Sequence, residues 1–255
     1  MNPQNDQQSL AAAQFGPQAA AYVASPVHAR GADLDHLANV VRGRSEARVL
    51  DLGCGGGHVG FHVAAEVASV VAYDLSSDML AAVQAEARAR GLANIACRQG
   101  PAESLPFGDA EFDFVFCRFS AHHWPDVPRA LREARRVLKP QGTAIFIDVF
   151  GPDTPVLDTF LQTIEMLRDP SHVRNYSVAQ WQAMAAQAGF APRVAATHRL
   201  PLDFAAWVAR MNTPELHVRA IRSLQARVAE DVRAHFEVAA DGSFTIDVMT
   251  LELNI

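Results

Sequence analysis

The sequence predicts an α/β protein whose core is a doubly wound, mostly parallel sheet. Three observations carry that expectation. Short apolar runs alternate with helix-period segments through the first 150 residues. Each run is bounded by turn or cap residues. A glycine-rich bend directly follows the first run. Such a βαβαβ rhythm implies parallel strands joined by right-handed crossovers. It also places any ligand at the carboxyl ends of the strands, near the point where strand order reverses.

RVLDL at Arg48–Leu52 reads as a buried strand, followed by a helix over His58–Glu66. SVVAYD at Ser69–Asp74 is the second strand. Ser77 is the expected N-cap of a helix running to about Arg90, with Gly91 as its stop. Asn94–Gln99 and Glu111–Arg118 are the third and fourth strands, and Val127–Leu138 is a helix closed by Lys139-Pro140. Thr143–Val149 is the fifth strand. Beyond Phe150 the rhythm loosens to a helical stretch and the polar loop DPSHVRNYS. Ser177 and Gln180 form a capping box, opening a helix that stops before Gly189. Ala191–Leu200 is a strand, and Thr213-Pro214-Glu215 opens a helix to about His235. After the Asp241-Gly242 turn, Phe244–Leu253 alternates as a strand does. Residues 1–14 are expected to be flexible, residues 15–255 to form one domain, and 151–240 to contain the insertions that cap the substrate.

The composition fits a globular protein. The chain has 255 residues, 49% of them hydrophobic, and a net charge of −6; mean hydropathy is +0.01. No apolar run is long enough for a spanning helix, and the Asn/Gln-rich start lacks the layout of a signal peptide. Cys54, Cys97 and Cys117 are odd in number and widely spaced, so neither a disulfide framework nor a paired metal motif is expected. A reducing, cytoplasmic setting follows. The basic segment Arg129–Lys139 reads as the solvated face of an amphipathic helix, and no nucleic-acid partner is expected. One chain leaves oligomeric state open.

The sharpest motif is Asp51-Leu52-Gly53-Cys54-Gly55-Gly56-Gly57. Glycines let the chain bend tightly and let a ligand approach the backbone. The spacing is G-x-G-G-G rather than G-x-G-x-x-G, and an acid stands at the strand end. That carboxylate repels a diphosphate and attracts a cationic, amino-acid-bearing ligand. A nicotinamide-dependent oxidoreductase is therefore the disfavoured alternative, beside a cofactor-binding module without catalysis. Asp74 closes the second strand where an acid accepts ribose hydroxyls, with Leu75 and Met79 placed to flank an adenine.

Four segments in order, VLDLGCGGG, AYDLSSDML, GPAESLPFGDAEFDFVFCRFSAHHW and ALREARRVLKPQGTAIFID, resemble the class I S-adenosylmethionine-dependent methyltransferases. More narrowly they resemble the type 11 branch, which includes ubiquinone and menaquinone C-methyltransferases. The resemblance spans about Phe15–Asp148. It implies a Rossmann-like methyltransferase fold with an antiparallel final strand and a small helical cap. Its cofactor would be S-adenosyl-L-methionine, and its acceptor a small molecule attacking through O, C or N. Asp51 with Gly53, Cys54, Gly55 and Gly57 would surround the methionine part, and Asp74 would hold the ribose. Pro101, Ala102 and Glu103 would line the adenine edge. Pro101 stands where many members have an acid, which leaves the Ala102 backbone to read the adenine or Glu103 to be tested as the substitute. Arg118, Phe119 and Ser120 would sit beside the sulfonium, and Tyr22 would belong to a helical lid.

His122 and His123, on the loop after the fourth strand, are the candidate general bases, since imidazole titrates near neutrality. His58 and His62 share a helix face but lack a third ligand, so no metal site is expected. In the cap, His172, Arg174 and Tyr176 are weighed as acceptor contacts or a solvated loop. Phe160, Leu161, Ile164, Met166, Leu167, Trp181, Phe204 and Trp207 read either as the lining of an apolar pocket or, more often for such residues, as plain core.

Overall fold

The computed structural model describes residues 6–23 and 29–255. They surround one seven-stranded sheet: β1 (Arg48–Leu52), β2 (Ser69–Asp74), β3 (Ile95–Gln99), β4 (Phe112–Arg118), β5 (Leu138–Val149), β6 (Ala191–Leu202) and β7 (Phe244–Asn254). Their order is β3-β2-β1-β4-β5-β7-β6. Strands β1 to β5 pair in parallel, and β7 runs antiparallel to both β5 and β6. The chain winds outward from β1 to β3, then returns to lay β4 beside β1. That reversal opens a crevice past the carboxyl ends of β1 and β4.

The helices are α1 (Gln7–Phe15), α2 (Ala19–Val23), α3 (Ala32–Val41), α4 (His58–Val63), α5 (Ser77–Ala89), α6 (Val127–Val137), α7 (Pro155–Arg168), α8 (Val178–Gln187), α9 (Phe204–Arg210), α10 (Glu215–Gln225) and α11 (Glu230–His235). Adjacent strand residues feed opposite layers, because strand side chains alternate faces. Val49, Phe114 and Ile145 join the core beneath α3 and α7, while Leu50, Val115 and Phe146 join the core beneath α6 and α8. Helix α6 shows the logic in sequence. Val127, Ala130, Leu131, Ala134 and Val137 recur at helical spacing and are buried. The intervening basic residues face outward. Arg136 grips Glu133, Asp109 and the carbonyls of Leu105 and Phe107, so the basic stripe is structural.

Several boundaries differ from expectation for identifiable reasons. Ser76, not Ser77, caps α5, its hydroxyl accepting from the Met79 N–H. Strand β5 begins at Leu138, because Phe112 pairs with Leu138 before a register shift carries Phe114 to Thr143. The helix expected from residue 215 to 235 is two helices. Arg233 donates to the Gln225 carbonyl at the end of α10, and Glu230 and Asp231 start α11 with first-turn acids. The Thr213 hydroxyl bonds the Arg168 carbonyl rather than capping α10. The capping box at Ser177 and Gln180 forms as expected. Met166 is exposed at 50%, outside the core expected for it. The first five residues of the segment expected to be flexible lie outside the described residues. From Gln7 onward that segment is helical, with Asp6 accepting from the Ser9 N–H. No helix among the described residues is long and apolar enough to cross a membrane.

Candidate active site

The glycine bend forms the floor of a cavity of about 750 Å³ at the carboxyl edge of the sheet. Gly53, Gly55 and Gly57 all take positive φ, at 71°, 47° and 76°, a region that penalises a Cβ. Their surroundings separate their roles. A Cβ on Gly55 would meet nothing within 4 Å, so its backbone faces open space. A Cβ on Gly53 would strike the Ser120 side chain. A Cβ on Gly57 would meet Val83 at 2.9 Å and Phe61 at 3.0 Å. Gly57 therefore lets α4 pack against α5 and, unlike Gly53 and Gly55, does not border the cavity.

Two carboxylates organise the bend. Asp51 is 1% exposed and accepts the Gly60 N–H at 3.0 Å. Burial pushes its carboxyl up to about 7, and the nearby Asp74 carboxylate adds to the rise. Asp74 accepts Gly55 N–H and Ser76 N–H, each at 2.9 Å, which ties the bend to the end of β2. Burial raises its pKa too. A cavity floor with two buried acids and a bare glycine backbone fits a cationic amino-acid moiety joined to a nucleoside. It does not fit a diphosphate.

The walls hold most of the other sequence candidates. Leu75, Met79, Ala102 and Glu103 border the cavity beside Asp74, as do Cys54 and Tyr22. Pro101 does not, and its carbonyl accepts from Tyr73 Oη at 3.2 Å. Glu103 is buried, with its carboxylate accepting from Gln8 Nε2 and from the Asp126 N–H. Arg118, Phe119 and Ser120 line the wall after β4. The Arg118 guanidinium donates to Asp33 at 2.5 Å, which joins β4 to α3 and compensates its charge near the crevice. Phe119 holds φ at 50°, a strained value that turns the loop inward. The ring of Tyr22 lies 5.7 Å from that of Phe15, and its hydroxyl donates to Met211 Sδ.

The two candidate histidines have unlike surroundings. His122 Nδ1 donates to Asp148 Oδ1 at 2.6 Å, and its backbone N–H reaches Asp148 Oδ2. Burial alone would depress this imidazole, but the charge and hydrogen bond of Asp148 outweigh it and raise the pKa above the usual value. His123 Nδ1 donates to the Ser171 carbonyl at 3.2 Å. Burial, with His122 alongside, holds His123 well below the usual value, so it stays neutral and weakly basic. Past them the cavity is walled by Val149, Glu165, Arg168, Asn175, Trp207 and Arg210. Burial raises Glu165, although Arg168 lies 3.6 Å away.

His172, Arg174 and Tyr176 do not reach the cavity. His172 donates to Gln162 Oε1 and is held down to about 3 by burial. Arg174 pairs with Asp158 and lies over Tyr176. Sequence reasoning passed over the residue between them, Asn175, and also Glu165 on α7. Phe160, Leu161, Ile164, Trp181, Phe204 and Trp207 are buried, as expected of core, and Trp207 also walls the cavity. His58 Nε2 donates to the Tyr22 carbonyl and His62 Nδ1 to the His58 carbonyl. Among the described residues no three His, Cys, Asp or Glu side chains converge on a metal-sized site.

Fold and crevice together define a class I S-adenosylmethionine-dependent methyltransferase on a Rossmann-like sheet, and comparison with known proteins places it more narrowly. The type 11 methyltransferase domain family matches residues 50–146. The uncharacterized protein YafE of Escherichia coli is 51% identical over 180 residues, covering 71% of this chain and 87% of YafE. The uncharacterized methyltransferase YcgJ of Bacillus subtilis is 36% identical over 222 residues, covering 87% of this chain and 88% of YcgJ. The YcgJ crystal structure superposes with a TM-score of 0.83 at 33% identity, covering 87% of this chain and 97% of that one. The 2-phytyl-1,4-naphtoquinone methyltransferase of Synechococcus elongatus is 40% identical over 121 residues, covering 45% of this chain and 51% of its own length. The chain belongs to the type 11 branch of the S-adenosylmethionine-dependent methyltransferases.

Proposed function

We infer that this enzyme methylates a small-molecule acceptor whose proton is taken by His122, oriented by Asp148. The supporting observation is the 2.6 Å bond from His122 Nδ1 to Asp148 Oδ1 in the wall of the crevice. With Nδ1 committed to Asp148, Nε2 is the ring nitrogen left to receive a proton. A buried carboxylate behind an imidazole both fixes its tautomer and stabilises the imidazolium that forms. His123, neutral and bonded to Ser171, supports the loop and is not the base.

When bound, S-adenosyl-L-methionine supplies an electrophilic methyl on a leaving group that departs as a neutral thioether. Asp51 and the Gly53–Gly55 backbone would hold its amino-acid end. Asp74 would hold the ribose, with Leu75, Met79, Ala102 and Glu103 around the adenine. Ser120 and Phe119 would flank the methyl. Helices α1 and α2 exclude water from above: Ala11, Phe15 and Tyr22 face the cavity, and Gln7 and Gln14 tie α1 to the Ser171 and Met211 carbonyls. Holding acceptor and methyl in line in a dry crevice supplies up to about 7–11 kcal/mol, and the base adds about 10²–10⁴ in rate. We place this chemistry in the cytoplasm and in one domain, capped by residues within 151–240.

His122→Ala should lower kcat/KM by about 10²–10⁴ while adenosylhomocysteine binds as before. His123→Ala should cost far less. Turnover unchanged in His122→Ala would remove the base assignment.

A further inference from the structure

We propose that Asn175 is an acceptor-binding residue: its side-chain N–H donates to a hydroxyl oxygen of the substrate, the same hydroxyl that gives its proton to His122. The inference rests on the proposed role of His122 and names the chemical class of substrate, a hydroxy compound rather than an amine.

Asn175 is 2% exposed and borders the cavity. Its backbone is fully engaged. The Asn175 N–H donates to Gln162 Oε1 at 3.1 Å, and Gln162 Nε2 returns a bond to the Asn175 carbonyl at 2.8 Å. Gln162 is itself fixed by Asp158 and His172. The same loop is pinned to the base, because the N–H groups of Val173 and Arg174 both donate to the His122 carbonyl, at 2.8 and 3.1 Å. Against this, Asn175 Nδ2 has no hydrogen-bond partner although it is buried. Two other orphaned atoms of the loop, Asp169 Oδ2 and His172 Nδ1, belong to side chains that do not border the cavity. A buried amide donor with a rigid backbone and no internal partner, on a residue that borders the ligand cavity, is prepared for a ligand acceptor.

The stereoelectronic demand then selects the acceptor. A hydroxyl oxygen has one proton and two lone pairs. The proton goes to His122 Nε2. One lone pair takes the Asn175 N–H. The other forms the new bond to the methyl carbon, or feeds a conjugated carbon that does so. The carbon–sulfur bond breaks with its electrons going to sulfur. An amine nitrogen spends its single lone pair on the methyl and leaves Asn175 unpaired, at the cost of a buried donor.

The test uses the full chain saturated with adenosylhomocysteine and two matched chromophores, 4-nitrophenol and 4-nitroaniline. Binding and ionisation of the phenol are read together from its visible absorbance. Wild type should bind the phenol at least about tenfold more tightly than the aniline and should lower the pH at which it ionises. Asn175→Ala and the isosteric Asn175→Asp should each weaken phenol binding about tenfold or more, with adenosylhomocysteine affinity and melting temperature retained. Asn175→Ala binding the phenol like wild type, equal binding of both chromophores, or no phenol binding by wild type would overturn the proposal. His122→Gln separates the two readings. If it leaves the bound phenol's ionisation unchanged while the Asn175 variants weaken binding, the base assignment fails and Asn175 stands. If His122→Gln shifts the ionisation and the Asn175 variants do nothing, Asn175 alone fails.

Discussion

Replacing Asp51 with asparagine tests the electrostatic logic of the crevice most directly. Asparagine keeps the volume and an oxygen for the Gly60 N–H, so the bend is retained and only the charge is lost. In the ligand-free protein burial holds the Asp51 carboxyl up to about 7. With that value roughly one molecule in a hundred carries the charge at pH 5, and about nine in ten do at pH 8. A ligand that brings an ammonium group to the bend selects the charged form. Wild-type affinity for adenosylhomocysteine should therefore rise with pH, by up to about 100-fold between pH 5 and 8, and level off above 7. Binding below pH 7 should release a proton. Asp51→Asn should flatten this dependence and bind about 10–100-fold more weakly at pH 8, the loss of one charge-assisted hydrogen bond of about 1.5–3 kcal/mol. The linkage also has a stability side. The folded value lies above the unfolded one of about 3.9, so between those limits the native state holds the extra proton and stability falls as pH rises. The ligand-free Asp51→Asn variant should consequently melt higher than wild type at pH 8. Isothermal titration in two buffers of different ionisation enthalpy, with a thermal melt at each pH, reads both effects. Wild-type affinity that is flat from pH 5 to 8, or full affinity in Asp51→Asn at pH 8, would refute the reasoning.

Other consequences follow from neighbouring residues. Gly55→Ala and Gly57→Ala should fail differently. The first strains the backbone at φ 47° and fills the space the ligand needs, so adenosylhomocysteine affinity should collapse with only a modest loss of melting temperature. The second drives a methyl into Val83 and Phe61 at φ 76°, so the melt itself should fall, by about 1–3 kcal/mol of stability. For the base, wild-type kcat/KM should rise with pH through an inflection above the usual histidine value, because Asp148 favours the charged imidazole that must first be emptied. Asp148→Asn removes that charge, so the inflection should move to lower pH and the plateau rate should drop. His122 contributes stability that is complete below its unfolded value and lost as pH rises through the raised folded one; in Asp148→Asn burial dominates and lowers the folded value, so that slope should reverse sign.

The sheet was legible in the sequence because its signals are local. Runs such as RVLDL and SVVAYD declare their strands by composition, and β1 and β2 match the reading residue for residue. The bend was legible for a similar reason: an acid, a glycine cluster and an acid some 20 residues on sit in one βα unit. What the sequence hid depends on partners distant along the chain. The Gln-rich start reads as flexible polar chain, yet Gln7 finds the Ser171 carbonyl and Gln14 the Met211 carbonyl, contacts 164 and 197 residues away. Gly57 looks like every other glycine of the bend until Val83 and Phe61 are seen beneath it. His122 and His123 are neighbours in sequence, and only the third dimension gives one a carboxylate and the other a carbonyl.

Under the proposed function the same contrast divides one crevice between two tasks. Its cofactor half is built from the strand ends of β1, β2 and β4, where spacing in the sequence dictates geometry. The proposed acceptor half would draw on Asp148 at the end of β5 through His122, Glu165 on α7 and Asn175 in the loop before α8; Gln162 bonds the Asn175 carbonyl and the His122 carbonyl accepts from the same loop. A substitution in the first half should change affinity for every ligand that carries adenosine. A substitution in the second should leave that affinity alone and change which acceptor is turned over. Ranking variants of Asp51 and Asn175 against adenosylhomocysteine and the phenol probe in one series therefore tests whether the two halves are energetically independent. Additive effects on the two ligands would mean the sheet positions the acceptor loop without coupling to it. A large interaction between them would mean that the cofactor's charge, balanced by Asp51, reaches His122 through the wall after β4.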